Sequence, residues 1–233
     1  MLAAAGRLKQ NARMLKLKDT ASRGDRRRKL ILKAALEVFL EFGFERASLD
    51  EIIKRSGGSK SSIYSQFGGK NELFFAILRH AAENIGNVPP APFPRNADEM
   101  KELLLGMAEG IIRYVLRDDI IGLYKLAVEA SRVDPSVGQL YFKGGPDKAQ
   151  GDFAKLLKQL HQADLLCVPD TELAARFFFG MLLDKAHLAM SLGVARTPSK
   201  KETARLVQGA VAVFLSAYGR SHENQKRPTR PRA

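Results

Sequence analysis

Apolar residues recur at helical spacing along almost the whole chain. Between Arg27 and Phe42 they follow the i, i+3, i+4, i+7 pattern of one buried helix face, and Gly43 then predicts the end of that helix. A second periodic segment runs from Lys70 to about Asn84. The prolines that crowd the sequence after it predict a connecting loop over residues 86–95, because proline interrupts a helix.

Beyond this loop the same spacing predicts a body made of further helices, which gives an all-α protein of about nine helices. The expected segments are residues 96–116, 119–132, 135–142 with a kink or break at 144–146, 147–163, 171–192 and 200–218. The last two segments are apolar on more than one face. Since a helix that is apolar nearly all round must be buried nearly all round, we expect a partner subunit to cover them.

The segment between the two periodic regions of the N-terminal part has the pattern of a helix-turn-helix. Ser48 stands three residues before Glu51, which is the spacing of a capping box, and the pair Gly57 and Gly58 ends the short helix that follows. Ser59 is placed to cap a second helix, whose first turns carry small hydroxyl side chains and a cation. Such a helix N-terminus suits a DNA groove, because backbone N–H groups and side chains can reach phosphates and base edges there.

The net positive charge of the chain is concentrated in its two terminal segments. Counting Lys and Arg against Asp and Glu, residues 1–33 carry 11 against 2, residues 220–233 carry 5 against 1, and the residues between them carry 22 against 22. A neutral body with cationic arms is typical of a protein that binds a polyanion, although such arms can also be merely solvated. Next to a helix-turn-helix the charge favours DNA as the partner.

These patterns divide the chain into four parts. We expect a basic disordered arm over residues 1–24, a helix-turn-helix DNA-binding domain over 25–69, a further helical domain over 70–219 that contains the expected subunit contact, and a basic tail over 220–233. No run of 18 apolar residues is present, so no membrane partner is expected.

Nothing in the sequence favours catalysis. The four histidines are scattered, and neither a metal-ligand motif nor a glycine-rich phosphate loop is present, so we expect no catalytic residues, no metal and no cofactor. The single cysteine, Cys167, lies in an apolar run, where a buried and inert thiol is expected.

At this point the sequence resembles the TetR family of bacterial transcriptional regulators. The resemblance is specific over about residues 27–85 and is carried by Phe67 and the segments AALEVFLEFG (34–43), SLDEII (48–53), SKSSIY (59–64) and KNEL (70–73). Residues 124–178, including YFKGGPDKA, look like the C-terminal region of the AefR-like branch. The resemblance implies a homodimer that binds double-stranded DNA in the bacterial cytoplasm, on the nucleoid. It also implies that residues 70–219 form a linking helix with a regulatory and dimerisation domain. A small-molecule effector would shift the linking helix and move the two heads out of register with the operator.

The resemblance also implies a set of DNA contacts, although each serine can instead be a plain cap and Tyr64 can be the edge of the core. The predicted DNA-binding residues are Ser48, Lys60, Ser61, Ser62, Tyr64, Gln66 and Lys70. Two of the positions depart from the family pattern: Gln66 stands where relatives usually have histidine, and Gly58 stands where they usually have valine. Because valine tolerates only negative φ, the resemblance predicts a negative φ at Gly58.

The effector site is less specified by the sequence. Aromatic, methionine and polar side chains inside apolar helices are candidates for a pocket wall, although such residues also form ordinary cores. The candidate ligand-binding residues are Met107, Tyr114, Tyr124, Phe178, Arg113 and His187.

The predicted function is a sequence-specific transcriptional regulator, a repressor released from a palindromic operator by a small molecule. Two alternatives stay open at this stage. One is an architectural DNA-binding protein without an effector, and the other is a ligand-binding dimer whose head no longer reads DNA.

Overall fold

The computed structural model describes residues 23–84 and 92–220, and within them all regular secondary structure is helical. The ten α-helices are α1 (Arg23–Arg46), α2 (Leu49–Ser56), α3 (Lys60–Phe67), α4 (Lys70–Asn84), α5 (Ala97–Val115), α6 (Asp118–Ser131), α7 (Pro135–Phe142), α8 (Lys148–Gln162), α9 (Thr171–Ser191) and α10 (Lys200–Tyr218). The prediction of an all-α fold of about nine helices is confirmed. Most of the predicted basic arm and tail, and the first part of the predicted loop, lie outside the described residues.

Polar side chains fix the starts of the helices as the sequence indicates. Ser48 Oγ accepts a hydrogen bond from the Glu51 backbone at 3.2 Å, and Ser199 forms the full capping box with Glu202 at the start of α10. The carboxylate of Glu51 does not complete a box with Ser48, because it binds Arg55 Nε at 2.9 Å instead. Each cap satisfies backbone donors that the first turn of a helix leaves without a partner.

The predicted break near residue 145 is a continuous turn in the structure. A π-helical turn, Lys143–Asp147, joins α7 to α8 and contains Pro146. A π-helical turn has a wider spacing of hydrogen bonds, and it accommodates the proline that lacks an N–H. Its backbone packs against α4, as does that of α7.

The first hydrophobic core unites the N-terminal helices with part of the body. Buried side chains of α1, α2, α3 and α4 form one continuous cluster with those of α6 and α7. At its centre the rings of Phe39, Phe44 and Phe74 contact one another with centroids 5.0–5.6 Å apart. The N-terminal head is therefore packed directly onto the body.

Gly122 allows α6 to approach α1 closely. A Cβ atom built at this position would lie 2.4 Å from Leu40 Cδ2, far inside van der Waals contact. Any larger residue at position 122 would push the two helices apart or displace Leu40.

The second core lies within the body and joins α5, α8, α9 and α10. Phe153 and Phe178 stack with centroids 4.6 Å apart, and Phe214 contacts Phe178 edge-on at 5.1 Å. An isolated bridge between Leu166 and Gly219 joins the segment after α8 to the end of α10.

The expectation of a buried cysteine is wrong. The side chain of Cys167 is exposed, although its backbone N–H donates to the Tyr218 carbonyl at 2.8 Å. The apolar run that surrounds this residue forms the edge of the second core, where alternate residues point outward; Leu166 and Val168 are the buried ones.

Among the helices of the described segments, none combines the length and the apolar character that a membrane span requires.

Candidate nucleic-acid interface

The helix-turn-helix consists of α2, α3 and a three-residue turn between them. Gly57 and Gly58 both have positive φ, at 73° and 98°, and Ser59 returns to an extended backbone as the N-cap of α3. Glycine reaches positive φ without steric cost, so it suits this sharp change of direction.

The backbone at Gly58 corrects the prediction of negative φ. Because φ is +98°, a valine at this position would be strained. The space that a side chain would need is also filled, since a Cβ atom would lie 1.9 Å from Nη2 of Arg27.

Arg27 holds the turn from outside. Its guanidinium donates to the Ser56 carbonyl at 3.0 Å and also to the Gly57 carbonyl. These carbonyls lie at the C-terminal end of α2, where the helix dipole favours a cation. Arg27 therefore anchors the turn from α1, in place of a side chain at position 58.

Arg28 anchors the C-terminal end of α3 in a similar way. Its guanidinium donates to the Gln66 carbonyl at 3.1 Å and lies over the ring of Phe67, 4.4 Å from the ring centroid. Two consecutive arginines of α1 thus hold the C-terminal ends of α2 and α3. The sequence places both arginines near the start of the predicted first helix but does not predict these contacts, because their partners lie 29 and 38 residues away.

Three serines form a small hydrogen-bonded group at the start of α3. Ser59 Oγ accepts from the Ser62 backbone at 3.3 Å and lies 2.7 Å from Ser61 Oγ and 3.2 Å from Ser62 Oγ. Ser59 is thus the cap, and the hydroxyls of Ser61 and Ser62 stand beside it at the exposed N-terminus of the helix. Tyr64 follows on the same helix, with 55% of its surface exposed, and Gln66 is half-buried.

The predicted cations of this face have protein partners. Lys60 Nζ lies 2.9 Å from Asp50 Oδ1, and the hydrogen bond to Asp50 raises the pKa of Lys60 above its ordinary value. Lys70 Nζ donates to the Glu45 carbonyl at 2.9 Å and lies 4.9 Å from the centroid of the Phe44 ring. Lys70 thereby ties the start of α4 to the end of α1.

Two other cations of the segment differ sharply in exposure. Arg55 lies 2.7 Å from Glu41 and 2.9 Å from Glu51, so it serves the packing of α2 on α1. Lys54 has 80% of its side chain exposed, and its nearest carboxylate, on Glu51, is 4.0 Å away. Lys54 is therefore the more available of the two to an incoming phosphate, although the sequence did not single it out.

The six candidate ligand-binding residues do not converge on one cavity. Phe178 is fully buried in the aromatic stack of the second core, and Arg113 is mostly exposed and paired with Glu109 on the same helix. Met107 is half-buried beside that core. Tyr124 does meet His187, with ring centroids 5.1 Å apart, and burial lowers the pKa of His187.

Tyr114 connects the body to the linking helix. Its hydroxyl donates to the Ala81 carbonyl of α4 at 2.8 Å. Burial raises the pKa of this hydroxyl well above its ordinary value, so it stays protonated and remains a donor.

The described residues contain no group of three or more His, Cys, Asp or Glu side chains arranged to hold a metal ion. His161 has a local role, since its Nδ1 accepts from the Val168 backbone at 3.3 Å.

A helix-turn-helix head packed on an all-helical body defines the class of this protein as a DNA-binding transcriptional regulator. Residues 31–77 match the family described as bacterial regulatory proteins, tetR family, and residues 102–220 match the AefR-like transcriptional repressor, C-terminal domain. The chain belongs to the TetR family. The fold and the family are thus those of transcription regulators.

Individual relatives match over shorter stretches. The transcriptional activator FasR of Mycolicibacterium smegmatis is 43% identical over 61 residues, which make up 26% of this chain and only 28% of FasR. Two solved structures show the same fold. A TetR-family regulator from Mesorhizobium loti has a TM-score of 0.74 at 24% identity, over 86% of this chain and 100% of that one. The flavonoid-responsive regulator FrrA has a TM-score of 0.68 at 23% identity, over 84% and 98%.

The conformation of the turn predicts the effect of a side chain at position 58. Gly58→Val should lower the free energy of unfolding by about 1–3 kcal/mol, because the new residue is strained at positive φ and displaces Arg27. Gly106→Val is the matched control, since Gly106 lies in α5 and a Cβ atom there meets nothing within 4 Å. Thermal unfolding measures both variants. A melting temperature that rises in Gly58→Val would mean that the turn has a different backbone path.

Proposed function

We propose that the protein is a homodimeric regulator of the bacterial cytoplasm and nucleoid that represses transcription from a near-palindromic operator and is released by a small-molecule effector. The observation that carries this proposal is the position of α4, which packs against α1 and α3 of the head and against α7 and the π-helical turn of the body. A helix shared in this way transmits a change in the body to the head. The AefR-like match supports repression, whereas FasR is named an activator.

Whether the protein represses or activates transcription can be tested directly. Genomic fragments bound by the purified protein are sequenced, and transcription from the bound promoters is compared with and without the gene for this chain. Transcription that rises in its absence supports repression. Transcription that falls would assign activation instead.

The start of α3 is the part of the head that we assign to the major groove. Ser61, Ser62 and Tyr64 are placed to reach base edges, and Ser48, Lys60, Gln66 and Lys70 to contact or flank the phosphates. To bind a phosphate, the Lys60 ammonium must contact the DNA as well as Asp50 or must break its ion pair with Asp50. The Asp50 carboxylate would otherwise repel the DNA phosphates.

The ion pair predicts opposite effects for its two members. Lys60→Ala should weaken binding to all DNA sequences and reduce the slope of log affinity against log salt by about one. Asp50→Asn should strengthen binding at low salt, because it removes a negative charge and frees the ammonium. Fluorescence anisotropy over a salt series measures both, with the exposed Lys158→Ala of α8 as control. If Lys60→Ala binds like wild type at every salt concentration, the groove assignment is wrong.

The proposed dimer interface is the outer face of α9 and α10. Phe177 and Leu188 expose 53% and 60% of their surface on α9, and Val213 exposes 59% on α10. Gly180 and Gly209 lie on the same helices, and a Cβ atom at either meets nothing within 4 Å. Large apolar side chains interspersed with small ones suit close packing against a second copy, with more than about 1,200 Å² buried in total.

A charge placed on this face should separate the subunits. Val213→Asp should convert the dimer into a monomer, because the dimer would bury an unpaired carboxylate. Val128→Asp is the matched control, since Val128 is similarly exposed, at 48%, on α6. Sedimentation at micromolar concentration distinguishes the two states. A wild-type protein that sediments as a monomer, or a Val213→Asp variant that stays dimeric, would contradict this interface.

The route from the body to the head is proposed to run through Tyr114. The hydroxyl holds the C-terminal half of α4, and the same residue lies near Arg117, whose guanidinium forms a bidentate pair with the buried Asp119. The end of α5 is thus fixed to the start of α6 and to the linking helix at one point. A displacement of α5 by a ligand would change the position of α4.

Removal of the hydroxyl should loosen this contact. Tyr114→Phe should lower the free energy of unfolding by only about 1 kcal/mol but should speed amide hydrogen exchange in the C-terminal half of α4. Tyr64→Phe, which removes an exposed hydroxyl from the head, serves as control. Unchanged exchange in α4 would show that the hydrogen bond does not restrain the linking helix.

A further inference from the structure

Two consecutive arginines of α1 hold α3 at both of its ends. The Arg27 guanidinium donates to the Ser56 and Gly57 carbonyls, in the turn that precedes α3. The Arg28 guanidinium donates to the Gln66 carbonyl, in the last turn of α3. The two attachments are separated by the length of α3, which is about 12 Å for its eight residues. Two points at this separation fix the direction of the helix.

The core by itself holds α3 over a small face. The backbone of α2 packs closely on α1, whereas that of α3 packs on α4 and α2. Of the eight residues of α3, all of which the structure describes, only Ile63 is fully buried. The turn between α2 and α3 contains Gly57 and Gly58, and glycine has the widest range of accessible backbone conformations. The orientation of α3 therefore depends on attachments from outside its own buried face.

The shape of the guanidinium matters to both attachments. A Cβ atom at Gly58 would overlap the Arg27 guanidinium, so the absence of a side chain at position 58 gives Arg27 access to the turn. A planar guanidinium donates to two carbonyls at once, which the single ammonium of lysine does not do in the same fixed geometry. The Arg28 guanidinium also lies over the ring of Phe67. Charge alone therefore does not reproduce these contacts.

We propose that Arg27 and Arg28 are positioning residues for DNA recognition, which fix the direction of α3 in the major groove without contacting DNA themselves. The inference rests on the proposed function, in which Ser61, Ser62 and Tyr64 reach base edges. A displacement of one end of α3 by about 1 Å turns the helix by about 5°. Because hydrogen bonds weaken with misalignment, loss of an attachment should impair recognition of base sequence more than the general attraction to phosphates.

A direct phosphate contact is the competing role for both side chains, since Arg28 is exposed and Arg27 is half-buried. Their partners favour positioning, because each arginine donates to backbone carbonyls at the C-terminal end of a helix, where the dipole also favours a cation. The two roles differ in what lysine can replace. A lysine ammonium also binds phosphate, whereas it lacks the planar group that the two attachments use.

Charge-conserving substitutions separate the two roles. The wild-type protein first selects duplexes from a random library, and fluorescence anisotropy then measures affinity for the selected duplex and for a scrambled duplex of the same length. Arg27→Lys and Arg28→Lys should each lower affinity for the selected duplex about tenfold, the cost of about one base contact, and leave affinity for the scrambled duplex within about twofold. Arg26→Lys is the matched control, since Arg26 is an exposed arginine of the same helix, and it should leave both affinities unchanged.

Two results would overturn the proposal for the residue concerned. One is an Arg27→Lys or Arg28→Lys variant that keeps the wild-type ratio of the two affinities at wild-type strength. The other is a variant that loses affinity for both duplexes equally, which would assign the residue to a direct contact with the phosphates. Thermal unfolding of each variant sets a common temperature at which all of them are folded, so that a loss of affinity is not a loss of structure.

Amide hydrogen exchange without DNA tests the attachments independently of the proposed function. The N–H groups of Gly57 and Gly68 form the last backbone hydrogen bonds of α2 and α3. Exchange should become faster at Gly57 in Arg27→Lys and at Gly68 in Arg28→Lys. A wild-type protein that selects no sequence would reject the proposed function, and with it the recognition role, while faster exchange in the variants would keep the attachments. A selected sequence with unchanged exchange and an unchanged affinity ratio would reject the positioning role alone.

Discussion

The burial of α4 is the constraint on which the rest of the structure depends. Leu73, Phe74 and Ile77 belong to the same continuous core as the head and as α6 and α7. Because packed interiors shift between discrete arrangements and do not deform smoothly, this helix cannot move relative to one side without changing its contacts with the other. The close approach at Gly122 adds a direct contact between α1 and α6. The coupling that we propose between the body and the head therefore rests on this packing, to which Tyr114 adds a directional hydrogen bond.

In the head, a side chain from α1 stabilises the turn between α2 and α3. Gly58 leaves space at the turn, and the guanidinium of Arg27 fills it from α1. Together with Arg28 it neutralises the C-terminal ends of both helices of the DNA-binding unit. Cations that the sequence assigns to an electrostatic arm are thus partly structural, and the cations left for DNA on this face are fewer than composition implies.

The last two helices carry both the face proposed for a second subunit and the open groove of the body. The outer face of α9 and α10 presents apolar side chains and glycine, which suit an identical copy. The groove between the two helices shares Gly209 and Val213 with that face. A second copy that packs against the face would therefore cover part of the groove as well.

The sequence by itself determined the helices, their caps and the helix-turn-helix, because periodic apolar positions and capping residues act within one or two turns. Ser59 and the capping box of Ser199 with Glu202 lie where these local rules place them. Only the tertiary structure decided the partners of Arg27, the positive φ of Gly58, the exposure of Cys167 and the location of the groove. Each of these depends on contacts between residues that are far apart in the chain, and local sequence patterns do not predict such contacts.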